Sequence, residues 1–367
     1  MANPQAKLAT ESAPSVGEPS QNGEAGRMLK AIAVGMAAIT LGAGPEAARA
    51  QAPGGAGPGQ GNPAAAMREQ RAALLTQCPP LEAPSEAEAA KLPIHVTTWG
   101  TGGPAVLVIH GGVQGGLGGG PSTFAKQEAL AQQGWRVSVV DRPGFGQSPS
   151  RGPDDMLADS IWIAGMLGDG TNLLAHSWGA AEALLAAARR PEAVTSLIMV
   201  EPALEALLPT DPGFKDNPVA QAAIGERVRT LLGAKSPAEY GLGFAMSLGT
   251  AETGAGAPNA VAAAFKADPT QAAHVGCALL RARMAPPEAF KAAAEAVAKA
   301  GVPVLVISGG WSPAYVTVGD LVAKLTHGRH VIVDSPSHFV QLASAEPFNQ
   351  VVDAFMREAD QAPRTSR

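Results

Sequence analysis

The sequence predicts an α/β fold: a mostly parallel sheet flanked by helices, with a helical cap inserted late in the chain. Three observations lead there. From Pro104 onward, short Val/Ile/Leu-rich runs alternate with Ala-rich stretches at helical spacing, and continuous apolar runs of this kind belong to strands buried on both faces. The strand signal stops between Ala203 and Ala300, where Ala, Gly, Leu and Met at helical spacing, with several Pro breaks, describe a helical insertion. It resumes at Val304–Ile307 and Val331–Val333.

Taken in order, residues 1–50 form a leader. Residues 1–26 are polar and rich in Ser, Pro, Gly and Glu. Arg27 and Lys30 then flank an apolar run, Ala31 to Ala43, that ends in Ala48-Arg49-Ala50. Basic residues, a short apolar run and an A-x-A ending form the pattern of an export signal. The run is shorter than the roughly 20 apolar residues of a membrane-spanning helix, so no stable membrane span is expected. No cysteine stands after it to carry a lipid. Translation from Met28 rather than Met1 would remove the polar stretch, and an Ala-rich disordered leader is the alternative reading. Residues 51–77 are expected to be a Gly/Pro/Ala linker with a short helix near Met67–Thr76. The first part of the core is assigned to 78–202, the cap to 203–300 and the second part of the core to 301–367. Core strands are expected around Ile94, Val96 and Thr98, which alternate, and at Ala105–Ile109, Val137–Val140, Thr171–Ala175, Ser196–Val200, Val304–Ile307 and Val331–Val333.

Composition excludes several classes of function. The chain has 367 residues, 46% of them hydrophobic, enough for a full core. Its 27 basic and 32 acidic residues leave a net charge of −5, without the basic stripe that a nucleic-acid backbone requires. Cys78 and Cys277 are the only cysteines, so no zinc cluster is expected. In an oxidising compartment they could pair as a disulfide; two separate thiols are the other reading. The sequence leaves the oligomeric state open.

In parallel sheets the functional residues collect beyond the carboxyl ends of the strands, so the segments just after the apolar runs matter most. Ala175-His176-Ser177-Trp178-Gly179 ends one run and leads into the helix-forming stretch Ala180–Leu185. Small residues, Ala175 and Gly179, stand two before and two after the serine. Val106–Ile109 runs into His110-Gly111-Gly112 and a loose loop, Gly115 to Gly120. No G-x-x-x-x-G-K-S/T phosphate loop is present. Asp141-Arg142-Pro143-Gly144-Phe145-Gly146-Gln147-Ser148 comes after a third run, and Asp334-Ser335-Pro336-Ser337-His338 after the last.

Together these segments resemble the α/β-hydrolase family, in the serine-hydrolase or esterase-like branch. The elbow resembles the family's G-x-S-x-G with Ala175 in place of the first glycine. The resemblance implies Ser177 as nucleophile, His338 as general base, and an oxyanion hole formed by the backbone N–H groups of Gly112 and Trp178. It implies a structural role for Asp141. The usual acid is an Asp in the loop after the strand at Val304–Ile307, but Ser308-Gly309-Gly310-Trp311-Ser312-Pro313 contains no carboxylate, and Asp320 is expected to face away along the next helix. Some members carry the acid one strand earlier. Here Leu197–Val200 runs into Glu201-Pro202, which makes Glu201 the expected triad acid, with Asp334 as second choice and a cap-hinge tether as the alternative role of Glu201. The implied activity is hydrolysis of a carboxylic ester, thioester or lactone through an acyl-enzyme, without cofactor or metal, and falling below about pH 6–7, near an ordinary histidine pKa; a cap that is apolar and poor in aromatics and charge points to a small, uncharged substrate. Ser177 argues against the Asp-nucleophile branches. Carbon–carbon bond hydrolysis or a lyase reaction on the same fold, and a binding protein that has lost its acid, are the alternatives. Exported, periplasmic or secreted, is the expected location.

Overall fold

The computed structural model describes residues 63–116, 118–249 and 259–361. The expected leader, the start residue and most of the linker lie outside the described residues. The main elements are α1 (Pro63–Leu75), β1 (Val96–Trp99), β2 (Ala105–Ile109), β3 (Arg136–Val140), α2 (Met156–Met166), β4 (Thr171–His176), α3 (Ser177–Arg189), β5 (Val194–Val200), α4 (Pro218–Gly233), α5 (Pro237–Met246), α6 (Ala260–Ala267), α7 (Pro269–Arg281), α8 (Pro287–Lys299), β6 (Val304–Gly310), α9 (Pro313–Thr326), β7 (Arg329–Ser335) and α10 (Ala345–Gln361). Short helical turns occupy several of the loops.

The strands form one sheet in the order β1-β3-β2-β4-β5-β6-β7. β1 runs antiparallel to β3, and every other neighbouring pair is parallel. Successive strand residues point to opposite faces, so each run feeds two cores. Leu107, Ile109, Leu173, Leu197, Met199 and Val306 pack with α2, α3, α8 and α9. Val106, Val108, Leu174, Ile198, Val200 and Ile307 pack with α10 and the segment around Phe124 and Trp135. Both faces of the central strands β4 and β5 are buried along their whole length, which explains why these strands carry no polar alternation.

Two details differ from the sequence reading. β6 continues to Gly310, so half of the expected loop 308–313 is strand, with Gly310 paired to Ser335 across a register shift. Helix α8, assigned to the cap by its sequence boundary, packs against α3 and α9 in the helical layer on the sheet. Its buried Phe290, Ala293, Ala294 and Val297 belong to the same core as the strands. An amphipathic helix takes its layer from the partner of its apolar face, which helical spacing alone does not name.

Helices α4 to α7 lie over the carboxyl ends of the strands. Helix α1 docks on them: Gln70 Nε2 donates to the carbonyls of Leu231, Leu232 and Ala234 at 2.7–3.0 Å, and Arg71 Nε donates to Leu280 O at 2.7 Å. Cys78 and Cys277 are joined by a disulfide that links the end of this segment to α7. No helix among the described residues is long and apolar enough to cross a membrane.

Candidate active site

Ser177 is the first residue of α3, directly after β4. Its φ is +54°, a left-handed conformation that costs a non-glycine residue energy. Only three non-glycine residues among those described have positive φ, namely Ser177, Glu201 and His327. His327 caps a helix, and the other two belong to this site. The strain at 177 persists because β4 and α3 are both buried and α3 packs closely on the end of β2. A Cβ at Gly179 would stand 2.3 Å from His110 O, so that position must be glycine. Ala175 is fully buried, and its methyl group is accommodated where the family pattern has glycine.

Ser177 Oγ lies 2.8 Å from His338 Nε2. His338 Nδ1 lies 3.0 Å from Glu201 Oε2. Glu201 also accepts hydrogen bonds from the Gly309 N–H at 2.7 Å on Oε1 and from the Trp311 indole N–H at 3.2 Å on Oε2. The three sequence-predicted side chains are therefore in one line of contact. Asp334 is exposed on β7, its carbonyl accepting from the Ser344 hydroxyl, while the Nδ1 side of His338 is taken by Glu201. Asp320 faces outward along α9 and pairs with His330 at 2.8 Å.

Burial dominates the electrostatics of this row. It raises the Glu201 carboxyl above its ordinary value, against the pull of the Gly309 and Trp311 donors. It lowers the His338 imidazole below its ordinary value, which favours the neutral form. Tyr315 covers the imidazole, with ring centroids 4.7 Å apart. His176, in the elbow itself, bonds through Nε2 to the His338 carbonyl at 2.9 Å, and the His338 N–H donates to Leu248 O of the cap at 3.1 Å. His338 is thus held from the elbow, from the cap and from α9.

The His110-Gly111-Gly112 loop has its own logic. The Arg142 N–H donates to His110 Nε2 at 3.0 Å, so the imidazole proton is on Nδ1, which donates to Gly111 O at 2.8 Å. Burial holds this histidine down to about 3 and therefore neutral. In a trans peptide C=O and N–H point opposite ways. Anchoring the Gly111 carbonyl to His110 therefore aims the Gly112 N–H away from it, and Gly112 lines the same cavity as Ser177. The Trp178 N–H belongs to the first turn of α3, where helical geometry leaves N–H groups without intrahelical partners.

Beneath both residues sits a buried charge cluster. Arg142 has no exposure. Its Nη1 donates to Gly112 O at 2.9 Å, and its Nη2 contacts Glu182, Asp154 and Asp159 at 2.7, 3.1 and 3.5 Å. Glu182 Oε1 also accepts from the Trp178 indole at 2.7 Å. Burial raises Asp154 to about 6 and Glu182 well above the usual carboxylate range. Asp141 accepts from the Gly120 and Gln147 N–H groups at 2.8 and 3.0 Å and pairs with His95, holding the loop that its sequence describes.

The cavity above Ser177 is lined mainly by apolar cap residues, among them Ile224, Val228, Leu231 and Phe244. It is not uniformly apolar, because Glu205 and Arg227 also line it. Sequence reasoning missed this pair, along with His176, Arg142, Trp311 and Tyr315. His176, Arg142 and Trp311 carried a local signal, as members of segments already singled out.

Comparison with known proteins agrees with this architecture. Over 94 residues the chain is 36% identical to a pimeloyl-[acyl-carrier protein] methyl ester esterase of Neisseria meningitidis serogroup B, covering 26% of this chain and 35% of that protein. Over 116 residues it is 33% identical to lipase LipV of Mycobacterium tuberculosis, covering 30% of this chain and 42% of that protein. The matched region thus spans less than half the length of these curated relatives. Among solved structures, a thermophilic esterase from Thermogutta terrifontis aligns with a TM-score of 0.52 at 19% identity, over 72% of this chain and 93% of that one. A bacterial membrane phospholipase A aligns at 0.54 and 20% identity, over 81% and 91%. The family signature of the alpha/beta hydrolase fold matches residues 104–344, a span that contains the elbow, the His110-Gly111-Gly112 loop, Glu201 and His338, and the chain belongs to that family.

Proposed function

We propose that this protein hydrolyses carboxylic esters through an acyl-enzyme on Ser177. The observation that carries the reading is the buried row Ser177 Oγ, His338 Nε2 and Nδ1, Glu201 Oε2, with contacts of 2.8 and 3.0 Å. His338, neutral at Nε2, takes the Ser177 proton as Oγ bonds to the ester carbonyl carbon. The carbonyl oxygen becomes an oxyanion, which accepts from the Gly112 and Trp178 N–H groups. Removing one such donor costs about 3–4 kcal/mol of transition-state stabilisation. His338 returns the proton to the leaving alcohol, and water repeats the cycle on the acyl-enzyme. Glu201 holds the Nδ1–H tautomer and stabilises the imidazolium. The curated relatives include an esterase and a lipase, which supports ester cleavage as the reaction class; thioesters and lactones react by the same chemistry.

A fluorophosphonate probe tests the reading. Labelling is expected at Ser177 in the native protein, abolished by Ser177→Ala and by heat denaturation. An unlabelled native protein contradicts it.

Export is part of the proposal. The Cys78–Cys277 disulfide fits an oxidising compartment, and an A-x-A site before Gln51 predicts a mature chain beginning there. Amino-terminal sequencing of the protein recovered from a secreting host would read from Gln51, and an intact residue 28 would refute cleavage.

A further inference from the structure

The cavity beside Ser177 holds one ion pair that the acyl-transfer cycle does not use. Arg227 of α4 donates through Nη1 to Glu205 Oε1 at 2.6 Å. Glu205 stands in the 3₁₀ turn Glu205–Thr210, just beyond the Glu201 end of β5. Both side chains line the cavity together with Ser177, Trp178 and Tyr315. Neither is fully covered, with 26% of the Arg227 side chain and 11% of the Glu205 side chain exposed. The reacting centre is close, because Tyr315 packs on His338 and Glu205 and Arg227 act on the His338 imidazole with opposite signs.

An ion pair on an apolar wall is costly to desolvate, and apolar residues of similar volume would serve packing as well or better. Arg227 carries five N–H donors, more than its contacts with Glu205 and Tyr315 consume. We propose that Arg227 and Glu205 form a specificity subsite for a neutral hydroxyl group, so that the preferred substrate is a hydroxy-ester. The proposal rests on ester hydrolysis at Ser177 and adds which ester. The chemistry selects this group by elimination. A carboxylate would meet Glu205. An ammonium would meet Arg227. A hydrocarbon would strip water from guanidinium donors without replacing it, and unpaired buried donors are costly. A hydroxyl alone is uncharged, accepts from Arg227 and donates to Glu205.

The test uses isosteric pairs that differ by OH against CH3: methyl 3-hydroxybutyrate with methyl 3-methylbutyrate for the acyl half, and 2-hydroxyethyl butyrate with propyl butyrate for the alcohol half. The readout is the ratio of kcat/KM within each pair, in which any effect of the ion pair on His338 cancels. The hydroxy-to-alkyl ratio of at least one pair is expected to fall tenfold or more in Arg227→Met. Arg227→Lys and Glu205→Gln, milder changes should Arg227→Met not fold, are expected to lower the same ratio. Ratios that stay within twofold of the unmodified protein in all folded variants, for both pairs, overturn the proposal. Should no ester be turned over, the ester-hydrolase reading fails on its own terms. The subsite is then read by ligand-observed NMR on Ser177→Ala with and without Arg227→Lys, where equal binding of hydroxy and alkyl partners in both proteins overturns it.

Discussion

Replacing Glu201 by Gln tests the arrangement of the triad most directly, because the side chain is fully buried and its partners are known. Oε1 accepts from the Gly309 N–H, and Oε2 accepts from Trp311 and faces His338 Nδ1. An amide has one oxygen and must choose. With the oxygen toward Gly309, the NH2 group faces two donors, the Trp311 indole N–H and the His338 Nδ1–H. His338 then moves its proton to Nε2, opposite the Ser177 hydroxyl at 2.8 Å, and can no longer accept the serine proton. With the oxygen toward His338, the tautomer is kept but the buried Gly309 N–H loses its acceptor, at about 1–3 kcal/mol. The imidazolium then faces a neutral group, which forfeits a charged hydrogen bond worth about 1.5–3 kcal/mol. The second arrangement alone predicts a fall in kcat of about 10–100-fold. The first predicts up to about 10⁴-fold, the loss seen when the acid of a serine-protease triad becomes an amide. A drop of roughly 10–10⁴-fold in kcat with little change in KM is therefore expected, measured on a p-nitrophenyl ester after the melting temperature has been checked. A folded variant with kcat within threefold of the parent would show that Glu201 serves the cap hinge and not the histidine.

Further expectations concern the surroundings of that row. The acid limb of kcat/KM is expected below pH 6.5: burial disfavours the charged imidazolium, so the neutral base survives to lower pH, and a midpoint at or above 6.5 would mean that the carboxylate outweighs burial. His110→Ala releases the Gly111 carbonyl and with it the direction of the Gly112 N–H; kcat should fall by about 10–10³-fold, up to the loss of one oxyanion donor, and an unchanged kcat would show that Gly112 is aimed without it. Arg142→Met strands Glu182 and Asp154 in the core, and chemical denaturation should report a loss of about 3–5 kcal/mol; a loss below 1 kcal/mol would mean that the cluster rearranges. Changing both Cys78 and Cys277 to Ser frees a link spanning 199 residues, with a chain-entropy ceiling of about 5 kcal/mol; a melting temperature equal to the parent's under non-reducing conditions would contradict a native disulfide.

What the amino-acid sequence determined by itself is local in the chain. The strand positions, the turn at Ser177, the loop carrying His338 and the loop carrying Gly112 each depend on residues adjacent in sequence, where backbone preference and steric size act directly. Glu201 was half legible: Pro202 marked the strand end, and the order serine, acid, histidine pointed to it. Its contacts with Gly309 and Trp311 needed the pairing of β5 with β6, in which the Glu201 N–H donates to Ile307 O at 2.8 Å. Tertiary structure alone decided the rest. The layer of α8, the grip of Arg142 on Gly112, the cover of Tyr315 over His338, the disulfide and the Arg227–Glu205 pair all join residues that no local preference brings together. Those contacts are set by strand register and by which helix face finds a partner, and a composition or a spacing carries neither.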